Sequence, residues 1–324
     1  HVFWPLDHAE WNGTTPTDFI FPMFLFVMGV SIALAILPRL EAGKATSVLR
    51  NAALWRAVRI VALGLAINVL AAWLLPGRDM RWCGVLQRIG ICFAIAGMLA
   101  IYVRQRTWWI VIGALLAGYA LILWFGGPLD KWVNIDDRVD TWVFGHYVWD
   151  FNSATGQGHD PEGLLSTLGA LATSLLGLCA GVWLRKRRIR TLLIAAVTCI
   201  IAGYAWSFWI PLNKNLWTSS FVLWTAGFSA LVLAAFHWMM DVRQWPPIGR
   251  RFGVNAITAY AGAEAMEVLL PATGLQAMLY TPLSAAITPW AGPYVASLTF
   301  AVLFVVLWWI IVWVMDRNRW YLKI

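Results

Sequence analysis

Residues 17–37 read TDFIFPMFLFVMGVSIALAIL and carry a single charged residue, Asp18, near their start. An apolar run of about 20 residues is long enough to cross the hydrocarbon core of a bilayer as an α-helix. Such runs recur along the 324-residue chain, of which 60% is hydrophobic and only 12% is charged. The sequence therefore predicts an all-α, polytopic membrane protein.

Nine membrane segments are predicted. Their approximate bounds are 17–37, 51–75, 84–103, 108–125, 163–184, 191–210, 217–240, 252–270 and 292–315. Together they predict one membrane-embedded domain over residues 1–324, with a single long loop at 126–162. The four cysteines lie in or beside apolar segments without ligand spacing, so neither disulfides nor a metal site is predicted.

Lysine and arginine are divided unevenly between the two sides that alternating segments define. If the loop after the first segment is cytoplasmic, 18 of the 24 lysine and arginine residues lie on the cytoplasmic side. Positive residues concentrate in cytoplasmic loops of membrane proteins, so the net charge of +8 calls for no nucleic-acid partner. The N-terminal end and the 126–162 loop are thus predicted outside, and the C-terminus in the cytoplasm.

The segment HAEWNG (8–13) places His8, Glu10, Trp11 and Asn12 directly before the first membrane segment. Histidine takes or gives a proton near neutral pH, so this cluster is a candidate for acid–base chemistry. The alternatives are a solvated loop for His8 and an interfacial aromatic belt for Trp11. Asp18 has two interpretations, a catalytic carboxylate or the closing residue of a capping box that begins at Thr15.

Polar residues also interrupt later apolar segments. Gln87 and Arg88 lie about a turn inside one of them, where Arg88 either binds a ligand or counter-ion, with Glu264 or Glu267 as its partner, or snorkels to the interface. Candidate ligand-binding residues elsewhere, each also open to a structural interpretation as a cap or polar turn, are Glu162, Asn213, Lys214, Asn215, Asn255 and Glu264.

Two further patterns concern packing and the cytoplasmic side. Gly169, Thr173, Gly177 and Gly181 recur every four residues, a stripe typical of close helix packing in membranes. Dense positive charge on the predicted cytoplasmic side either contacts anionic lipids or binds a phosphorylated cofactor. The residues concerned are Arg185, Lys186, Arg187, Arg188, Arg250 and Arg251.

Five stretches, in this order along the chain, resemble the bacterial branch of the heparan-α-glucosaminide N-acetyltransferase family of transmembrane acyltransferases. They are HAEWNGTTPTDFIFPMFLFVMGVSI (8–32), GVLQRIGICF (84–93), DPEGLLSTLGALATSLLG (160–177), PLNKNLWTSSFVLWTAG (211–227) and GVNAITAY (253–260). The resemblance runs from residue 8 to about residue 260.

The resemblance implies transfer of acetyl from cytoplasmic acetyl-CoA to the amino group of a glucosamine-type sugar on the far side of a bacterial inner membrane. It also implies a homodimer, a central role for His8, and an asparagine-bearing helix upstream of the present chain. His8 acts either as general base or as acyl carrier, while Asn12, Asn213, Asn215 and the Trp11 indole are candidate donors to the oxyanion or sugar. The alternative is a transporter for amino sugars such as N-acetylglucosamine.

Overall fold

The computed structural model describes residues 1–322 and shows an all-α protein apart from one short hairpin. Two antiparallel strands, β1 (Asp150–Asn152) and β2 (Gln157–His159), pair Asp150 with His159 inside the loop predicted at 126–162. The α-helices are α1 (Ile20–Ala35), α2 (Leu37–Glu41), α3 (Thr46–Leu74), α4 (Val85–Tyr102), α5 (Gln105–Phe125), α6 (Ile135–Phe144), α7 (Ser166–Arg185), α8 (Ile189–Trp206), α9 (Ser219–His237), α10 (Arg250–Val254), α11 (Ala256–Ala272), α12 (Leu275–Ala291) and α13 (Pro293–Arg317).

Eight helical spans in residues 1–322 are long and apolar enough to cross a membrane, which confirms the polytopic α-helical class. They are Pro16–Glu41, Thr46–Leu74, Val85–Tyr102, Gln105–Phe125, Ser166–Arg185, Ile189–Trp206, Ser219–Val242 and Pro293–Arg317. The ninth predicted segment, 252–270, corresponds to α11, which has 17 residues and is not among the eight. The α12 helix, absent from the prediction, contains Pro282 and Pro289.

The α11 and α13 helices run antiparallel. Arg250, just before α11, pairs with Asp316 at the end of α13, and Gly262 of α11 faces the ring of Trp308. The end of α11 is therefore level with the start of α13, where Tyr294 contacts the ring of His1. The α12 helix connects these two ends and packs against the first turns of α13, where the Tyr280 hydroxyl lies 3.0 Å from Ser297 Oγ.

The α7 helix is the most deeply buried span, and its glycines explain why. A Cβ added to Gly177 would lie 2.0 Å from the carbonyl oxygen of Phe26 in α1, and one added to Gly169 would lie 2.3 Å from that of Trp217. Gly29 of α1 makes the reciprocal approach, since a Cβ added to it would lie 1.9 Å from the Ser174 carbonyl oxygen. The stripe predicted from the sequence is thus confirmed as a close-packing surface.

Loops from distant parts of the chain gather at one side, which we call the His8 face. It comprises residues 1–16, 76–84, 126–165 and 207–218. The Trp11 indole donates to the carbonyl of Leu129 at 3.0 Å, and the Trp82 amide donates to that of Tyr147 at 3.4 Å. At the opposite ends of the helices, Glu41 pairs with Arg185, and Arg250 pairs with Asp316. We call this second side the Arg250 face.

Candidate active site

The first helix begins with the capping box that the sequence predicts. Pro16–Phe19 form one 3-10 turn before α1, and the Thr15 backbone amide donates to Asp18 Oδ2 at 2.9 Å. The Thr15 hydroxyl lies 3.1 Å from the same oxygen. The capping interpretation of Asp18 is therefore confirmed.

The same carboxylate also holds His8. Asp18 Oδ1 lies 2.7 Å from His8 Nδ1, and the Ala9 amide donates to Oδ2 at 3.1 Å. Since an ionised carboxylate can only accept hydrogen bonds, Nδ1 carries the proton in the neutral imidazole and Nε2 carries the lone pair. The Asp18 side chain is 1% exposed and that of His8 is 55% exposed, so a buried carboxylate orients an accessible base.

Lys214 completes this cluster from a loop that lies about 200 residues further along the chain. Its Nζ is 3.0 Å from Nδ1 and 3.2 Å from Nε2 of His8, and 3.6 Å from Asp18 Oδ1. Because Nζ is almost equally distant from both ring nitrogens, it lies over the imidazole ring and leaves the in-plane lone pair of Nε2 accessible. Burial lowers the pKa of the Lys214 amine, and the Asp18 charge opposes this shift.

Two of the predicted asparagines, Asn12 and Asn213, contact each other close to His8. Asn213 is fully buried, and its Nδ2 donates to Asn12 Oδ1 at 3.2 Å while its Oδ1 accepts from the Leu216 amide at 2.8 Å. This pairing occupies the Asn12 oxygen, and the Asn12 side chain is exposed and lines the cavity described below. The amide of Gly13 also donates to the Leu212 carbonyl at 2.8 Å, which joins the two segments.

An open cavity of about 770 Å³ adjoins His8 on the His8 face. It brings together three predicted site residues, His8, Glu10 and Asn12, with a second carboxylate, Asp7. The other lining residues are Val2, Phe3, Trp4, Ala9, Gly13, Thr14, Thr15 and Tyr294. Aromatic walls with two carboxylates suit a ligand that is both cationic and partly apolar, such as an amino sugar.

Trp11 is positioned differently from the prediction. Its indole N–H already donates to Leu129, its ring contacts that of His159 at 5.3 Å between centroids, and it does not line the cavity. The expectation that this N–H binds an oxyanion or sugar is therefore wrong, because the 126–162 loop occupies the donor. Trp11 instead attaches HAEWNG to that loop.

Arg88 is buried, 1% exposed, so the snorkelling alternative is wrong. Its Nη2 donates to the Gly163 carbonyl at 3.1 Å and to Ser166 Oγ at 2.6 Å, and its guanidinium stacks on the Trp217 ring. The predicted pairing with Glu264 or Glu267 is also wrong, because these contacts direct Arg88 towards the start of α7. Among the described residues, Arg88 Nε and Nη1 and Gln87 Nε2 are buried without a partner.

Glu162 lies in an ion-pair network that the sequence did not reveal. Arg81 donates to both carboxylate oxygens of Asp160, at 2.8 and 2.5 Å, and also to Glu162. The alternative interpretation of Glu162 as a helix cap is wrong, since α7 begins only at Ser166. Both carboxylates instead neutralise Arg81 next to the Trp149 ring.

Three buried aspartates of α6 lie behind this network. Asp137 pairs with His159 at 2.6 Å, Asp136 Oδ1 accepts from the Ser166 amide at 3.1 Å, and Asp140 Oδ1 accepts from that of Leu164 at 2.9 Å. Burial raises the pKa of the Asp136 and Asp140 carboxyls. These aspartates were not predicted as site residues, because a helix inside the 126–162 loop was not predicted.

The predicted cytoplasmic residues do not form one cluster. Arg250 and Arg251 line a cavity of about 530 Å³ on the Arg250 face, where Arg251 stacks on the Trp309 ring. Arg185 pairs with Glu41 at 2.6 Å, and Arg185, Lys186, Arg187 and Arg188 do not line that cavity. Of the remaining predicted residues, Asn255 is buried with its amide atoms unpartnered among the described residues, and Asn215 and Glu264 are half-buried.

Comparison with known proteins addresses the resemblance directly. Residues 3–141 match the family model described as heparan-alpha-glucosaminide N-acetyltransferase, catalytic. The predicted resemblance to this family is confirmed. The matched region contains His8, Asp18 and Arg88, and it ends within α6.

Two curated relatives carry the same name. The heparan-alpha-glucosaminide N-acetyltransferase of Homo sapiens is 28% identical over 338 aligned positions, and that of Mus musculus is 27% identical over 333. Each alignment covers 83% of this chain and 50% of the relative, so the chain spans about half the length of the curated relatives it matches. The family resemblance is thus to enzymes, specifically to N-acyltransferases.

Proposed function

We propose that this chain is a membrane-embedded acetyltransferase that moves acetyl from acetyl-CoA to the amino group of a glucosamine-type sugar. The observation that carries the proposal is the His8–Asp18 pair at the edge of the cavity on the His8 face. The names of the relatives support the type of reaction and the acceptor class.

Acyl transfer to an amine needs a base, and His8 is placed to be that base. Asp18 fixes the proton on Nδ1, which directs the Nε2 lone pair at the acceptor amine, and it stabilises the imidazolium once the proton has moved. Asp18 is thus a positioning residue. In the alternative route Nε2 itself carries the acetyl group between donor and acceptor, and the same orientation of the ring serves both routes.

The negative charge that develops on the acetyl oxygen needs a donor. The Asn12 NH₂ group fits this role, because Asn213 holds the Asn12 amide with its oxygen engaged. A thiolate is a good leaving group, so little acid catalysis is required of the protein. Asp7 and Glu10 would attract the ammonium group of the sugar before it loses its proton.

The donor is proposed to enter from the Arg250 face, which would be cytoplasmic according to the distribution of lysine and arginine. Arg250 and Arg251 supply positive charge for phosphate groups, and Trp309 supplies an aromatic surface. Asp316 partly neutralises Arg250, which leaves Arg251 as the stronger phosphate ligand. On this proposal HAEWNG faces the exterior of a bacterial inner membrane, in a homodimer.

The test uses the purified chain with acetyl-CoA and glucosamine, with mass spectrometry of the sugar. We expect N-acetylglucosamine from the wild type and none above background from His8→Ala, with acetyl-CoA binding retained in that variant. Unimpaired turnover in His8→Ala would exclude His8 from the mechanism. A wild-type protein that binds glucosamine but not acetyl-CoA would favour the transporter instead.

A further inference from the structure

Lys214 is placed where the reaction proposed above would find an amine of the protein itself. Its Nζ lies 3.2 Å from His8 Nε2, the atom that serves as base or acyl carrier in the proposed function. The backbone around it is fixed, because the Trp217 amide donates to the Lys214 carbonyl at 3.1 Å and the neighbouring Asn213 is fully buried. The start of the side chain is therefore fixed, and the contacts of Nζ with His8 and Asp18 place the amine beside Nε2.

The direction of approach is also suitable. Nζ lies over the face of the imidazole ring, and a nucleophile attacks a planar acyl group from above its plane. An acetyl group carried on Nε2 and coplanar with the ring would thus present its carbonyl carbon to Nζ. An acetyl thioester delivered to the in-plane lone pair of Nε2 would lie within reach of the same amine.

The Lys214 amine is more often neutral, and therefore nucleophilic, than the amine of an exposed lysine. The Lys214 side chain is 20% exposed, and its burial lowers the pKa of the amine, which increases the neutral fraction at a given pH. His8 is the nearest acceptor for the proton that leaves. Asp18 Oδ1 at 3.6 Å keeps the ammonium form in place until then.

We propose that Lys214 is itself acetylated by this site when no amino sugar occupies it. The inference rests on the proposed function, since the same donor and base are used. Nζ forms a bond to the acetyl carbon, the thioester C–S bond breaks, and the proton from Nζ passes through His8 to the leaving thiolate. If acetyl-His8 is the donor, the bond from carbon to Nε2 breaks instead, and the freed Nε2 takes up the proton that leaves Nζ. The resulting amide is neutral, so it removes the cation beside Asp18 and obstructs access to His8.

The experiment uses the full chain in proteoliposomes with carbon-13-labelled acetyl-CoA and no sugar, followed by peptide mass spectrometry. Lys131 is the matched control, because it is another lysine of the His8 face, 34% exposed and paired with Asp150. We expect label on Lys214 at least tenfold above that on Lys131, and a decrease at Lys214 when glucosamine is added. His8→Ala and His8→Gln should lose the label at Lys214 and keep the level at Lys131.

Three results would overturn the inference. Label on Lys214 no higher than on Lys131, or equal label in the wild type and both His8 variants, would mean ordinary chemical acetylation. Acetylated glucosamine with unlabelled Lys214 would overturn this inference and leave the proposed function standing. Absence of both products would overturn the proposed function and this inference with it. Lys214→Arg, which keeps the cation, checks that the labelled peptide is assigned correctly.

Discussion

Asp18 serves helix α1 and His8 at the same time, one carboxylate oxygen for each. Oδ2 accepts from the backbone amides of Thr15 and Ala9, and Oδ1 binds His8 Nδ1. The two interpretations that the sequence leaves open are therefore compatible, because a buried carboxylate has enough lone pairs for both. This coupling ties the orientation of His8 to the start of the first membrane span.

Replacing Asp18 with asparagine tests this coupling. The amide keeps the size of the side chain but removes the charge that sets the tautomer of His8, a loss that lowers turnover in histidine-dependent acyl transfer by up to about 10⁴-fold. Thr15→Ala is the matched comparison, because it removes a capping hydroxyl at a cost of about 1 kcal/mol and leaves the pair with His8 in place. Acetyl transfer and thermal unfolding are measured for both. Similar turnover in the two variants would contradict a role for Asp18 beyond the cap.

Arg88 shows both what a sequence can reveal and where it stops. A charge inside an apolar segment identifies a residue that must be satisfied within the protein, and the structure confirms that it is buried. Its partner depends on which helix packs nearby, and Ser166 at the start of α7 is 78 residues away in sequence. Charge complementarity pointed to Glu264, whereas the actual partners are a carbonyl and a hydroxyl, which are common and carry no distinctive signal.

Arg88→Met is expected to destabilise the protein strongly. The substitution leaves the buried Gly163 carbonyl and Ser166 hydroxyl without the Arg88 donor, and each buried polar group that loses its partner costs about 1–3 kcal/mol, more where the lost partner is charged. Arg106→Met at the exposed start of α5 is the control and should change stability by less than about 0.5 kcal/mol. Thermal unfolding in detergent measures both. Equal unfolding midpoints for Arg88→Met and Arg106→Met would show that the contacts of Arg88 contribute nothing to stability.

At the scale of elements, α6 gives the protein a defined response to pH. Burial raises the pKa of Asp136 and Asp140 above that of an unfolded carboxyl, so the folded state binds more protons than the unfolded state. The stability that these two protonated carboxyls contribute is fully present below the ordinary carboxyl pKa, and it is lost as the pH rises through their raised pKa values. We expect the unfolding midpoint to fall between pH 5 and about pH 9.

Asp140→Asn isolates this effect, because an amide resembles the protonated acid and its oxygen can still accept from Leu164. The variant should unfold at a temperature that depends less on pH than the wild type does. Asp150→Asn, in the exposed pair with Lys131, serves as the control. If the unfolding temperature of the wild type rises with pH over this range, the two buried carboxyls of α6 are not protonated in the folded state.

The close approach of α1 and α7 makes a prediction of its own. Gly177→Ala places a methyl group against the Phe26 carbonyl oxygen, and such overpacking costs about 1–3 kcal/mol. Gly113→Ala makes the same change in α5, where nothing lies within 4 Å, and should stabilise by about 0.5–1 kcal/mol. The thermal unfolding midpoints of the two variants and the wild type measure both effects. A tolerated alanine at Gly177 would contradict the packing described here.

Among the elements, regular apolar spans were predictable and irregular helices were not. Eight spans follow from length and hydropathy alone, and the glycine stripe of α7 from its spacing of four. The α12 helix was not predicted, because Pro282 and Pro289 lie inside it and proline normally indicates a break in a helix. The α6 helix was not predicted, because its buried face consists of aspartates instead of apolar residues. The burial of these aspartates depends on partners in other loops.

At the scale of the whole molecule, the two faces differ in chemistry. The His8 face gathers the histidine, the carboxylates and the cavity, whereas the Arg250 face holds the arginine pairs with Glu41 and Asp316. Which charges lie on which side was readable from the distribution of lysine and arginine. That HAEWNG contacts Lys214 was not, because the contact joins loops that are close only once α1, α7 and α9 have packed.

Single cysteines at exposed positions test the proposed orientation. Thr155→Cys lies at the tip of the hairpin on the His8 face, and Lys44→Cys lies between α2 and α3 on the opposite side. Cys83, Cys92 and Cys179 are buried, and the half-buried Cys199 is replaced by serine in both variants to remove its background. A maleimide that cannot cross membranes should label Thr155→Cys in intact cells and Lys44→Cys only after permeabilisation. The reverse pattern would invert the proposed orientation.

The measurement that tests the central claim most directly is acetyl transfer across a sealed membrane. Proteoliposomes of known orientation receive acetyl-CoA only at the Arg250 face and glucosamine only at the His8 face, and the acetylated sugar is measured on the His8 side. We predict product that accumulates with acetyl-CoA in this arrangement and is absent when acetyl-CoA is supplied only at the His8 face or when His8 is replaced by alanine. Product that forms only when both substrates share one side, or without His8, would contradict the account.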